Sequence, residues 1–311
     1  MNTVRRALGA VAALGVAGVG YASLVERNAF VLRRFTVPVL PAGSPALRIL
    51  QISDLHLVPR QARKIEWVRG LATLAPDLVV NTGDNLAARD AVPAALQAMA
   101  PLLDFPGVFV MGSNDFYGPT PKNPTRYLTG RYAEAPPGRI PLPVEDLRAG
   151  MVNGGWTDLD NARTVIDVGG VPVELVGTDD PHVHRDRYAA VSAPASSTAA
   201  LTVGVTHAPY QRVLDPMVTD GARLLIAGHT HGGQLAVPFY GALVTNCDLP
   251  TDRAKGLSRW WAGAGSAPSS QAPDDAAWLH VSAGLGTSPY APVRFACRPE
   301  ATLLTLVGAV R

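Results

Sequence analysis

Gly228-His229-Thr230-His231-Gly232-Gly233-Gln234 sets two imidazoles on one short loop, directly after the apolar run Arg223-Leu224-Leu225-Ile226-Ala227. The run reads as a buried strand, so the loop is a strand end. Neutral imidazole binds first-row divalent metals well, and flanking glycines let two such rings approach an ion without a side-chain clash. A His-x-His pair of this kind also fits a solvated loop. The rest of the chain decides between the two.

Toward the N-terminus, Leu47-Arg48-Ile49-Leu50-Gln51-Ile52 reads as a strand that runs into Ser53-Asp54-Leu55-His56. Residues two apart in extended chain point the same way, so Asp54 and His56 can face one ion. Pro76-Asp77-Leu78-Val79-Val80-Asn81-Thr82 ends in Gly83-Asp84-Asn85, and Pro106-Gly107-Val108-Phe109-Val110-Met111 ends in Gly112-Ser113-Asn114-Asp115. Leu201-Thr202-Val203-Gly204-Val205-Thr206 delivers His207 in the same way. Any one of these is equally a turn-forming Asp or Asn, or a satisfied histidine. Together they place polar clusters at successive C-terminal strand ends, where open α/β sheets hold their ligands.

This ordered set resembles the calcineurin-like metallophosphoesterase family over about Leu47 to Val307. Within it, the resemblance is to a membrane-anchored bacterial branch that includes UDP-2,3-diacylglucosamine pyrophosphatases. The implied fold is α/β: two packed mixed β-sheets flanked by helices, a four-layer sandwich. The implied cofactors are two divalent metal ions, with Mn, Fe, Zn and Co all suited to the N/O donors. Asp54, His56 and His231 are then expected on the first ion, His207 and His229 on the second, and Asp84 bridging the two. The implied reaction is hydrolysis of a phosphodiester or pyrophosphate bond, with a hydroxide held by the ions as nucleophile. No Ser or Cys is then needed, and two cations also offset charge on the transition state.

The third motif departs from the family's usual Gly-Asn-His-Asp or Gly-Asn-His-Glu. Ser113 falls at the metal-ligand position and Asn114 at the position of a His that contacts substrate. Asn cannot act as a general acid, and a Ser hydroxyl is a weaker ligand than an amide oxygen. Either Asn114 itself serves as a ligand of the second metal, or the site works without an acid. Lack of an acid favours substrates whose leaving group departs as an anion, such as pyrophosphates and activated diesters. Asp84 and Asn114 are the expected catalytic residues. Asn85 and Ser113 are expected to contact substrate, as are Asp180 and His182 in Gly177-Thr178-Asp179-Asp180-Pro181-His182, which follows the strand Val173-Glu174-Leu175-Val176. The rival reading is a non-catalytic, metal-binding membrane protein with a degenerate third motif.

The 311 residues, 47% hydrophobic and 17% charged, suffice for one large domain, assigned to residues 41–311. A net charge of +2 and the lack of a basic run interleaved with aromatics give no support to nucleic-acid binding. Residues 1–40 are expected to be a membrane anchor or signal segment with its linker. Arg5-Arg6 precede an uncharged run from Ala7 to Val25, long enough to cross a bilayer at ~1.5 Å per residue. One transmembrane helix and a single-pass place in the cell membrane are expected; the alternative is export after cleavage near Gly20-Tyr21-Ala22. Such an anchor suits a phosphate-ester substrate that is lipid-linked. Cys247 and Cys297 have no Cys-x-x-Cys spacing and read as unpaired thiols.

Overall fold

The computed structural model describes residues 13–121 and 138–309, together with residue 6. The first sheet is built from β1 (Val31–Leu40), β2 (Leu47–Ile52), β3 (Leu78–Asn81), β4 (Gly107–Phe109), β5 (Thr157–Asp158) and the late strand β14 (Glu300–Gly308). Their order is β1-β14-β2-β3-β4-β5, with β14 parallel to β1 and antiparallel to β2, and β2 to β5 all parallel. The second sheet contains β6 (Arg163–Val168), β7 (Val171–Gly177), β8 (Leu201–Thr206), β9 (Leu224–Ala227), β12 (Gly256–Trp260) and β13 (Ala277–Val281), in the order β12-β13-β9-β8-β7-β6. A short hairpin, β10 (Ala236–Val237) and β11 (Gly241–Ala242), stands outside both.

The two sheets pack face to face, and side-chain alternation explains why. Leu47 and Ile49 of β2, and Leu78 and Val80 of β3, meet Leu201, Val203 and Val205 of β8 and Leu224 and Ile226 of β9 in one buried cluster. The intervening Leu50, Ile52 and Val79 point the other way, toward the helices Ala62–Gly70, Val92–Met99 and Val144–Asn153. On the far side of the second sheet, Leu225 and Ala227 pack with Val213, Leu214 and Met217 of the helix Gln211–Thr219. Strands buried on both faces read as continuous apolar runs, as these do. In the helix Val144–Asn153, Glu145 and Asp146 of the first turn complement the helix dipole.

The domain boundary expected after residue 40 moves toward the N-terminus. Val31–Leu40, read as linker, is the edge strand β1, and its Val37 and Leu40 are buried between the sheets. The body reaches further back still: Ala22 and Glu26 are buried, the Arg294 amide donates to Ala22 O at 3.1 Å, and the Cys297 amide donates to Glu26 Oε1 at 2.6 Å. Among the described residues no helix is long and apolar enough to cross a membrane. Residues 7–12 of the uncharged run lie outside the described residues. Cys247 and Cys297 are free and buried.

Candidate metal centre

The C-terminal ends of β2, β3, β8 and β9 converge, and the donors singled out from the sequence converge with them. Oxygen and nitrogen atoms of Asp54, His56 and His231 lie within 4.8 Å of one another, as do those of Asp54, Asp84 and His207. Asp84 faces both ways. Its Oδ2 is 3.4 Å from His56 Nε2, and its Oδ1 is 3.5 Å from His207 Nε2. His231 Nε2 lies 3.2 Å from His56 Nε2 and 3.6 Å from Asp54 Oδ1, while His229 Nδ1 lies 3.3 Å from His207 Nε2.

Backbone carbonyls determine which ring nitrogens are bare. His207 Nδ1 donates to Thr82 O at 2.6 Å, His229 Nε2 to Asn246 O at 3.1 Å and His231 Nδ1 to Gly286 O at 3.2 Å. A carbonyl oxygen only accepts, so each outer nitrogen carries the proton and each inner nitrogen presents a lone pair. Two bare nitrogens facing each other at 3.3 Å repel unless a cation or a proton lies among them. This donor set therefore fits divalent metal. Burial pushes His56 down to about 4 and holds His229 and His231 well below the usual histidine range, which keeps them as neutral ligands. His207 runs the other way. Burial alone would lower it, but Asp84, Asp180 and Asp54 outweigh burial and raise it well above the ordinary value. Asp54 is raised to about 6, chiefly by burial and then by the charge of Asp84. The cluster calls for positive charge.

The local backbone is unusual at these positions. Asp54, His56, Asp84, His229 and His231 all have positive φ, between 40° and 71°. Left-handed backbone costs a non-glycine residue about 1 kcal/mol or more. Neighbouring glycines make room: a Cβ on Gly112 would lie 2.3 Å from Asp84 Oδ1, and one on Gly228 would lie 2.7 Å from Asp54 Oδ2.

Asp115 clamps the carboxylate side. Its two oxygens accept the amides of Asp84, Asn85, Leu86 and Gly112 at 2.7–3.3 Å, which ties the third motif to the loop after β3. Asn114 lies in the site: its amide N–H donates to Asp84 Oδ1 at 2.7 Å and its Nδ2 to Asp84 Oδ2 at 2.6 Å. Ser113 is buried, with its Oγ 3.5 Å from Asn114 Nδ2. Asp180 is buried, accepting the His182 amide at 2.8 Å on Oδ1, and its Oδ2 has no hydrogen-bond partner among the described residues. The His182 ring lies 4.4 Å from the His229 ring, and its Nδ1 is 3.0 Å from Tyr210 Oη. Asn85 corrects an expectation. Its side chain is buried and turned inward, accepting from Asn81 Nδ2 at 2.9 Å and reaching Asp115 Oδ2 at 3.4 Å.

Three residues that sequence reasoning missed support the centre. Lys64, on the helix Ala62–Gly70, donates from Nζ to Leu55 O at 2.7 Å and so pins the Asp54 to His56 loop; burial pushes it down to about 7. Gln51 accepts from His280 Nδ1 at 2.6 Å and donates to Thr82 Oγ1, which donates to Ser53 Oγ at 2.6 Å beside Asp54. Arg139 lies over the Tyr117 ring, its guanidinium lowered by burial while the charges of Asp84 and Asp180 act in the opposite direction. A lone Arg in a Pro- and Gly-rich excursion carries no sequence signal.

The chain is similar to known proteins. Residues 47–233 match the calcineurin-like phosphoesterase family. The chain is 26% identical to a Bacillus subtilis protein named uncharacterized metallophosphoesterase YkuE, over 96% of this chain and 93% of that one. It is 27% identical to phosphodiesterase YaeI of Escherichia coli, over 93% of each chain. Among solved structures, a dimetal phosphatase from Danio rerio matches with a TM-score of 0.38 and 12% identity, over 78% of this chain and 88% of that one.

Proposed function

From a chain that belongs to the calcineurin-like phosphoesterase family, we propose a dinuclear metal-dependent hydrolase of phosphodiester or pyrophosphate bonds. The observation that carries this reading is the Asp84 carboxylate, one oxygen toward His56 and the other toward His207, between two groups of bare imidazole nitrogens. Asp54, His56 and His231 would hold one cation, His207 and His229 the other, with Asp84 shared and the Asn114 amide beside it. Bound divalent cations supply Lewis acidity, lowering the pKa of a water and offsetting phosphate charge.

The residues of the chain define what else the site does. The backbone carbonyls behind His207, His229 and His231 orient the rings and raise their basicity as ligands. Arg139 brings a positive charge to the side of Asp84 and Asp180, where a phosphate oxygen would be met. Asn114 can donate a hydrogen bond but no proton, so leaving groups that depart as stable anions are favoured. The name phosphodiesterase carried by the Escherichia coli relative supports the diester class. The uncharged run from Ala7 to Val25 supports a place in the cell membrane, with a lipid-linked or nucleotide-linked substrate.

The test is hydrolysis of an aryl phosphodiester by protein stripped with chelator and then titrated with Mn. Metal-restored turnover supports the reading. Stoichiometric metal uptake with no turnover on diesters, pyrophosphates or monoesters would favour the non-catalytic alternative, for which Asn114 in place of an acid is the motive.

A further inference from the structure

The surface beside the metal centre reverses the usual pattern of a solvated hairpin. After His231 the chain passes through Gln234 to Leu235, which bridges to Phe295, and enters β10 and β11. In this hairpin the small Ala236 and Ala242 are buried, while Leu235, Val237 and Leu243 are exposed. At the tip Phe239 is 111% and Tyr240 is 75% exposed. Alternation thus sends large apolar side chains toward the outside, where a strand pair facing water places polar ones.

The apolar surface continues past the hairpin. Phe295 meets the Tyr21 ring edge to face at 6.5 Å, and Gln234 Nε2 donates to Ala291 O at 2.8 Å, next to the exposed Tyr290. From Tyr21 the exposed Leu24 and Val25 follow on one side. Leu14, Val16 and Val19 of the uncharged N-terminal run lie on the other, all exposed. Arg27 reaches Pro292 O on the same face, a cation at its rim. A contiguous exposed apolar patch with a basic rim marks an interaction surface, and Phe and Tyr at its projecting tip suit the boundary between headgroups and acyl chains. Continuity with the uncharged run from Ala7 to Val25 singles out the occupant.

We propose that residues 235–243, with Tyr290 and Phe295, dock onto a lipid bilayer beside the N-terminal segment and hold the metal centre against the membrane surface. The hairpin is tied to that centre at both ends. His231 precedes it, and Asn246 after it accepts from His229. The substrate class that fits is an amphiphile whose phosphate lies at headgroup level, a refinement that rests on the phosphoesterase reading above.

The test uses the full chain with one added surface cysteine carrying a polarity-sensitive fluorophore, at Phe239→Cys, Tyr240→Cys, Val16→Cys or Val165→Cys. The native Cys247 and Cys297 are buried and do not compete, and Val165 is exposed on β6 as a control. With phosphatidylcholine and phosphatidylglycerol vesicles, positions 239 and 240 are expected to shift to the blue and to be quenched by lipids brominated near the headgroup. Position 165 should do neither. Water-like emission at both hairpin positions overturns the proposal, as does failure to bind vesicles at all. Lipid-like emission at 16 with water-like emission at 239 and 240 keeps the N-terminal anchor and removes the hairpin; the reverse removes the anchor alone. In a second arm, combined Phe239→Ser, Tyr240→Ser and Leu243→Ser is expected to slow hydrolysis of a vesicle-borne diester on the order of tenfold, leaving a soluble diester unaffected. An equal loss on both substrates counts against docking. A wild type inactive on every soluble diester counts against the catalytic reading, while the fluorescence arm still decides the hairpin.

Discussion

The two sheets contribute unlike halves to the centre. The first brings both carboxylates, Asp54 and Asp84, and braces them with side chains from elsewhere: Asp115 gathers four amides around the Asp84 loop and Lys64 holds Leu55 O. The second brings His207, His229 and His231, each tethered through its outer nitrogen to a backbone carbonyl. Charge therefore comes from one half and direction from the other. The carboxylate half depends on removable side-chain braces, and the imidazole half on main chain that no substitution deletes.

The sharpest break in this contrast is Asp84→Ala, which removes the carboxylate whose two oxygens face His56 and His207. Turnover is expected to fall by more than the ~100-fold typical of losing an outer hydrogen-bond partner, and metal content should fall with it. Elemental analysis alongside a diester assay checks this; two full equivalents of metal in the variant would show that Asp84 is no bridge. Asn114→His comes next. It should speed poor leaving groups by up to ~100-fold and pyrophosphates little, read as a rate series over diesters of graded leaving-group pKa. Loss of a metal equivalent instead would make Asn114 a ligand.

Asp115→Asn tests the brace without touching a donor atom. One of two accepting oxygens becomes a donor facing amides, and a loss of about 2 kcal/mol is expected, measured as a lower urea midpoint at unchanged slope. An unchanged midpoint would mean that the loops hold each other without it. The smallest effect concerns Lys64, lowered by burial to about 7 from an ordinary 10.5. Between these values the unfolded chain binds the proton and the folded chain does not, so this contribution to stability grows as pH rises and is lost as pH falls through about 7. Its slope cannot exceed about 1.4 kcal/mol per pH unit. Lys64→Met should flatten the rise in melting temperature of the metal-free protein between pH 8 and 9; an equally steep rise would assign it to another group.

The strand ends were legible because each apolar run stops at a residue that cannot continue a buried strand, and Asp54, His56, Asp84, His207, His229 and His231 follow those stops. Asn85 was misread since adjacency to Asp84 says nothing of direction, and the turn there sends its amide inward to Asn81. Arg139 is placed by a pairing remote in sequence, in which the Gly118 amide donates to Ile140 O. β1 was hidden for another reason. Arg33 and Arg34 look like charges flanking a membrane segment, but Arg33 pairs with Glu300 at 3.3 Å, a partner visible only once β14 lies alongside. Nor does periodicity alone mark a hairpin whose large apolar residues face outward.

The placement of β14 between β1 and β2 has a consequence for biogenesis. Two strands made early in synthesis share no hydrogen-bonded neighbour until residues 300–308 have left the ribosome. The first sheet, and with it the carboxylate half of the centre, is completed only once β14 pairs with both β1 and β2. A nascent chain halted before Glu300 should stay open to protease along β1, and resistance there would show that β1 finds its place without β14.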